Sequence, residues 1–186
     1  MSKANRIGTP NSVYFVTFTV VYWIDAFTRP VYKDMLIENL KFYRDTRGLI
    51  IYSFVIMTNH VHLILRSPNE PLSDIIRDYK RWTSRKMREL MQAEVESRRK
   101  WMFNLFSWAG THNTNNNDYQ FWQQDNHPKH IYSVPFGLQK LNYIHQNPVK
   151  AKIVARAEDY IYSSASNYAD SRGIIEVQSL NEMGMW

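Results

Sequence analysis

His60 and His62 are the residues whose type and spacing point most directly to chemistry; they stand in Thr58-Asn59-His60-Val61-His62-Leu63-Ile64-Leu65. Side chains two apart on a strand project from the same face, with α-carbons about 6–7 Å apart. Two imidazoles so placed can converge on one metal ion, and neutral imidazole ligates transition metals such as Mn, Co, Ni and Zn. Val61, Leu63 and Leu65 then point the other way, into a core. The plainer reading of the same pair is two histidines half exposed on a sheet.

A second group lies in Leu141-Asn142-Tyr143-Ile144-His145-Gln146-Asn147-Pro148. On a helix, Tyr143 and Asn147 are four apart and share a face. The Asn147 amide oxygen is then a candidate third metal ligand and the Tyr143 phenol a candidate nucleophile. The same residues also read as a core aromatic and a helix terminator. His145 and Gln146 lie on other parts of that helix and are weaker candidates.

Two further stretches suit a polyanion. Ser73 to Arg88 carries Arg77, Lys80, Arg81, Arg85, Lys86 and Arg88 against Asp74 and Asp78, a net +4. Arg77, Arg81, Arg85 and Arg88 fall on one helical stripe, placed to contact a phosphate backbone or simply to be solvated. Phe121 to Lys129 alternates aromatic, amide and basic groups, and Trp122, Gln123 and Lys129 could stack on or hydrogen-bond to unpaired bases. An ordinary packed loop is equally consistent. There is no glycine-rich phosphate loop, no Ser-His-Asp signal and no HExxH.

The elements that must carry these groups follow from periodicity. Val13 to Val21 alternates as a half-buried strand. Pro30 to Gly48 reads as a helix, with proline in the first turn and glycine at the stop. Leu49 to Met57 and Val61 to Arg66 are strands joined by a short turn at Thr58-Asn59. A basic helix runs from near Pro71 to about Arg88, or as far as Arg99, and Glu94 to Trp108 forms another helical piece. Thr111 to Asp118 is an asparagine-rich loop and Phe121 to Lys129 is irregular. A last helix, about Gly137 to Gln146, ends before Pro148 and leaves Asn147 at its frayed end. That order predicts an α+β fold, a ferredoxin-like split βαβ antiparallel sheet with helices packed on one face.

Bulk properties narrow the class. The chain has 186 residues, 44% hydrophobic, with a formal net charge of +6. The basic balance favours nucleic acid, because phosphate contacts release counterions. No apolar run approaches a membrane span, so no membrane partner is expected. Met1 to Ser12 lacks the apolar core of a signal peptide, and cysteine is absent. Both fit a cytoplasmic protein without disulfides.

Together these residues resemble a known family. His60-Val61-His62 is similar to the HUH motif of single-tyrosine HUH transposases. Tyr143-Ile144-His145-Gln146-Asn147-Pro148-Val149-Lys150-Ala151 resembles the tyrosine helix of the REP-associated tyrosine transposases, relatives of insertion-sequence single-strand DNA transposases. Thr83-Ser84-Arg85-Lys86, Phe121-Trp122-Gln123 and Asp159 to Ala165 fit the same subgroup, in order, across roughly Ser12 to Ala169.

The resemblance implies one catalytic domain over residues 1–170, with an insertion near 92–118 and a tail at 171–186. It implies cleavage and rejoining of single-stranded or hairpin DNA through a 5′-phosphotyrosine intermediate, with one divalent ion, Mg²⁺ or Mn²⁺. By motif, His60 and His62 are metal ligands and Tyr143 is the nucleophile. Asn147 stands where the insertion-sequence enzymes have a glutamine ligand. Lys150, inside the tyrosine-helix motif, joins the expected DNA contacts. Lys152 departs from the subgroup, which usually has glycine there. The insertion-sequence enzymes are dimers that exchange tyrosine helices and the REP-associated group acts within one chain, so monomer or homodimer both remain open. Two rival readings keep the fold and change the chemistry. One is a domesticated, non-catalytic nucleic-acid-binding protein; the other is a metal-dependent hydrolase using water.

Overall fold

Alternation along β1 (Tyr14–Thr19) sends Tyr14, Val16 and Phe18 to one face of a sheet and Phe15, Thr17 and Thr19 to the other. The computed structural model describes residues 7–93, 96–113, 118–169 and 171–182. β1 pairs antiparallel with β3 (His60–Arg66), setting Thr17 opposite His62 and Thr19 opposite His60. β3 pairs antiparallel with β2 (Ile50–Ile56), with a register shift between Ile51 and Ser53. β4 is only Lys129–His130, antiparallel to β1 at Phe15 and Tyr14. The strand order β2-β3-β1-β4 is that of the ferredoxin-like split βαβ unit predicted from the sequence.

Two helices cover the Phe18 face. They are α1 (Pro30–Arg47), which starts on a proline and stops at Gly48 in left-handed geometry, and α2 (Leu72–Ala93). Tyr79 of α2 sits 5.7 Å from Phe18, ring to ring, and its hydroxyl donates to Leu36 O of α1. α3 (Arg99–Thr111) follows and packs Phe106 on Phe121, 5.2 Å between rings.

The helices are not all on one face. α4 (Val134–Lys150) lies on the opposite face, over Phe15 and His62. The physical reason is visible in β2 and β3, whose residues are buried in unbroken runs and therefore need cover on both sides.

α2 ends at Ala93, within the expected range, but α4 differs from the sequence reading at both ends: it begins at Val134 and passes through Pro148 rather than stopping before it. Pro148 is buried in the last turn, where its missing N–H forgoes a single i→i−4 bond. The end is closed by Lys152 N–H on Val149 O and Ile153 N–H on Pro148 O, both 2.9 Å, with Lys152 at φ 58°. This is a Schellman closure with lysine at the position that favours glycine. Asn147 therefore sits in a formed turn, its carbonyl bonded by Ala151 N–H at 3.0 Å.

The β2 edge is covered by the chain's last third. Ile56 N–H bonds Tyr162 O, Ser164 N–H bonds Phe54 O, and Gln178 N–H bonds Ile51 O. A short α5 (Ala165–Tyr168) lies between these contacts, and Ile175 and Leu180 of the tail are buried. Part of the expected asparagine-rich loop, 114–117, lies outside the described residues, as do residues 94–95 at the start of the second helical piece. Among the described residues, no helix is long and apolar enough to cross a membrane.

Candidate active site

The pleat of β3 places both imidazoles on the α4 side of the sheet, their ring centroids 4.7 Å apart. His62 is 5% exposed and stacks on Phe15 at 5.4 Å; His60 is half-buried. Tyr143, projecting from α4, brings its ring to 5.1 Å from that of His62. The tyrosine ring is 42% exposed, so a group in solution can reach it. Asn147 follows one turn later on the same helix, beside His60. The four residues expected to form the site are thus together in one chain.

Hydrogen bonding sets the tautomers. Asn59 Nδ2 donates to Asp25 Oδ1 at 3.0 Å and to Trp23 O at 3.3 Å, so its Oδ1 is the atom facing His60 Nδ1, at 2.6 Å. A carbonyl oxygen only accepts, hence His60 carries its proton on Nδ1 and its lone pair on Nε2. His62 Nδ1 lies 2.8 Å from Thr17 Oγ1. His62 Nε2 is buried and, among the described residues, has no hydrogen-bond partner. Donation from Nδ1–H to Thr17 leaves that Nε2 as a bare lone pair, the form a metal ligand needs; the other tautomer would bury an N–H with no acceptor.

Burial keeps both rings neutral. It lowers the His60 pKa, opposed by Asn147 and Asp25. It pushes His62 down to about 3, reinforced by the charges of His60 and Lys140. An unpartnered buried nitrogen, a second oriented lone pair and an adjacent amide fit a divalent cation. Among the described residues no cluster of three His, Cys, Asp or Glu adds a carboxylate to this donor set.

Lys140, three residues before Tyr143, supplies the site's positive charge. Its Nζ lies 6.0 Å from the Tyr143 ring centroid, 5.3 Å from Phe15 and 5.2 Å from Phe136. Sequence reading missed it, although i−3 spacing from Tyr143 was a usable signal. It also missed Thr17, Asn59 and Asp25, whose roles depend on cross-strand register and loop packing.

The expected DNA contacts are dispersed. α2 covers the opposite face, so its basic stripe does not lie beside Tyr143. Arg77, Lys80, Arg81, Arg85 and Arg88 line a groove with Tyr119, Gln123 and Gln124. Arg77 is paired with Asp74 and Asp78, while Arg85 and Lys86 both approach Glu89. Arg88 lies over the Tyr119 ring at 5.3 Å. Lys80 is a strut rather than a free cation: its Nζ donates to Gln123 O and Asn126 Oδ1, both 2.6 Å, and burial lowers its pKa to about 8. Trp122 is a correction. It is 5% exposed, donates Nε1–H to Thr83 Oγ1 at 3.0 Å, and has no face free for a base. Gln123 is half-buried against Val20, Lys129 is exposed on β4, and Lys150 is exposed at the end of α4.

A family model described as Transposase IS200 like matches residues 9–125, well over half of the chain. Among solved structures, one described as a REP-associated tyrosine transposase bound to a REP hairpin aligns over 97% of this chain and 93% of that one, with a TM-score of 0.64 and 17% identity. A putative transposase from Deinococcus radiodurans R1 is a weaker match, with TM-score 0.42 and 19% identity over 77% of this chain and 95% of that one. No curated protein matches the sequence.

Proposed function

The chain belongs to the IS200-like transposase family, and on that premise we propose that it cuts and rejoins single-stranded or hairpin DNA through a 5′-phosphotyrosine on Tyr143. The observation that carries this reading is the Tyr143 ring 5.1 Å from that of His62, beside a buried Nε2 that has no partner among the described residues. The hairpin as substrate takes further support from the REP-hairpin complex of the structural relative.

His60, His62 and Asn147 would hold one divalent ion, Mg²⁺ or Mn²⁺, which when bound supplies Lewis-acid polarisation of the scissile phosphate. The Tyr143 oxygen forms a bond to phosphorus as the bond from phosphorus to the 3′ oxygen breaks. The phenol proton leaves to water, which reaches the exposed ring, and the 3′ oxygen takes up a proton to depart as a hydroxyl. A second 3′-hydroxyl reverses the exchange and frees the phenol. One phosphate ester replaces another at each step, so joining requires no ATP. Lys140 holds positive charge where the phosphate must sit. Neutral His62 adds no positive charge to repel a cation. Arg81, Arg85 and Arg88, on the far side of the sheet, grip DNA backbone away from the cut.

The test is incubation with hairpin-bearing single-stranded DNA and Mn²⁺, followed by denaturing electrophoresis for a protein–DNA adduct. The parent forms it and Tyr143→Phe does not. Cleavage that survives Tyr143→Phe without an adduct indicates water as nucleophile. Binding without cleavage by the parent indicates a non-catalytic module.

A further inference from the structure

Between β1 and α1 the chain makes a tight turn, Val21–Trp23, in which two consecutive aromatic residues hold left-handed backbone geometry, each at φ 56°. That region is disfavoured for any residue with a Cβ and rarely holds two in succession. The turn is held from both sides. Val20 N–H bonds Asn59 O and Val21 N–H bonds Phe121 O, both 2.9 Å, while Trp23 O accepts from Asn59 Nδ2.

What this strained turn presents is ring surface. Tyr22 is 48% exposed and Trp23 58%. Trp108 of α3, 53% exposed, stands 5.8 Å from Tyr22, and Trp23 meets the His60 ring edge-on at 5.9 Å. Three exposed aromatics thus run from α3 to the rim of the histidine pair. Strain at a site bordering candidate ligands, spent on exposing rings rather than burying them, points to a ligand.

We propose that Tyr22, Trp23 and Trp108 form a stacking platform for unpaired nucleobases flanking the scissile phosphate of single-stranded DNA. This deepens the functional reading above and rests on it. The occupant follows from position and charge. A phosphate beside His60 places its neighbouring bases over Trp23, and a net charge of +6 favours a polyanion over an apolar protein surface. Stacking needs only a π-face, so the platform is sequence-tolerant. It also occupies the role that Trp122, buried against Thr83, cannot fill.

The experiment measures equilibrium binding of a single-stranded oligothymidylate, with the Tyr143→Phe protein as parent so that nothing is cut. Trp23→Gly and Tyr22→Gly relieve the backbone strain while removing the ring. Each is expected to weaken binding roughly 5- to 100-fold, the range for one lost stack, with melting temperature unchanged or raised. An oligonucleotide carrying abasic sites is expected to bind the parent as weakly as the variants bind the intact one, and to bind the variants no more weakly still. Trp23→Phe keeps a ring and retains most of the affinity. Variants that bind within twofold of the parent, abasic DNA that binds the parent equally well, or an absence of oligonucleotide binding overturn the platform. Ring-dependent binding by a protein whose wild-type form makes no adduct would sink the Tyr143 chemistry and leave the platform standing; an adduct without ring dependence would do the reverse.

Discussion

The Tyr143 and His62 rings meet edge to face within one chain, 5.1 Å between centroids, because α4 docks on its own sheet. The docking is specific. Ile144 is fully buried, and His145 Nε2 meets Ser164 Oγ at 2.9 Å and Ser53 Oγ of β2 at 3.3 Å. Cleavage in cis is the expected consequence. Tyr143→Phe and His62→Ala proteins, each inactive alone, should form no adduct when mixed. Adduct formation in the mixture would mean that α4 is exchanged between copies.

The hydrogen bonds behind the histidines should matter nearly as much as the histidines. Thr17→Val removes the partner of His62 Nδ1, and Asn59→Ala removes the acceptor that sets the His60 tautomer. Loss of such supporting contacts lowers metal affinity by about 10–100-fold. Titration of adduct yield against Mn²⁺ should therefore shift to higher concentration for both variants, with activity recovering at saturating metal. Chelation by EDTA should abolish the adduct in all of them.

The α2 groove predicts a separable effect. Arg81→Ala and Arg88→Ala should weaken hairpin binding about uniformly across sequences and reduce the slope of log affinity against log salt by roughly 1 each. Cleavage of a short unstructured oligonucleotide should be unaffected, since the groove lies across the sheet from Tyr143. An unchanged salt slope would remove these arginines from the DNA interface.

Lys152 closes α4 at φ 58°, in the left-handed region. Lys152→Gly should stabilise the protein by about 1 kcal/mol, the steric cost of a Cβ there, provided the added flexibility of the unfolded glycine does not cancel it. For a chain of this size that is a rise of roughly 2–4 °C in melting temperature. Adduct yield should not change. A fall in melting temperature would mean that the lysine side chain contributes more than the backbone strain costs.

Glu96 predicts an acid sensitivity between α2 and α3. It accepts from Arg98 and Tyr32, and the Arg98 hydrogen bond is the first cause holding its pKa at about 2 rather than 4.5. Arg98 in turn grips Asp25 O and Thr28 Oγ1, beside the turn that orients Asn59. The folded value lies below the unfolded one. The stabilisation is therefore complete above about pH 4.5 and is lost as pH falls towards 2. Melting curves should show the parent losing stability more steeply than Glu96→Gln across that window; parallel curves would exclude the linkage.

What short-range geometry controls was readable from the order of residues. A period of two makes His60 and His62 share a face whatever packs above them, and a spacing of four places Tyr143 and Asn147 together on one helix. The order of strands and helices was legible for the same reason. Which face of the sheet each helix covers emerged only on folding, since alternation defines two faces without saying what lies on either. That choice brought Tyr143 over His62, left the α2 arginines on the far side, and buried Trp122 while exposing Trp23. It also decided that Pro148 continues a helix and that Asn59 and Thr17 orient the imidazoles, because hydrogen bonds among Asp25, Asn59 and His60, or between Thr17 and His62, join groups that only folding brings within reach.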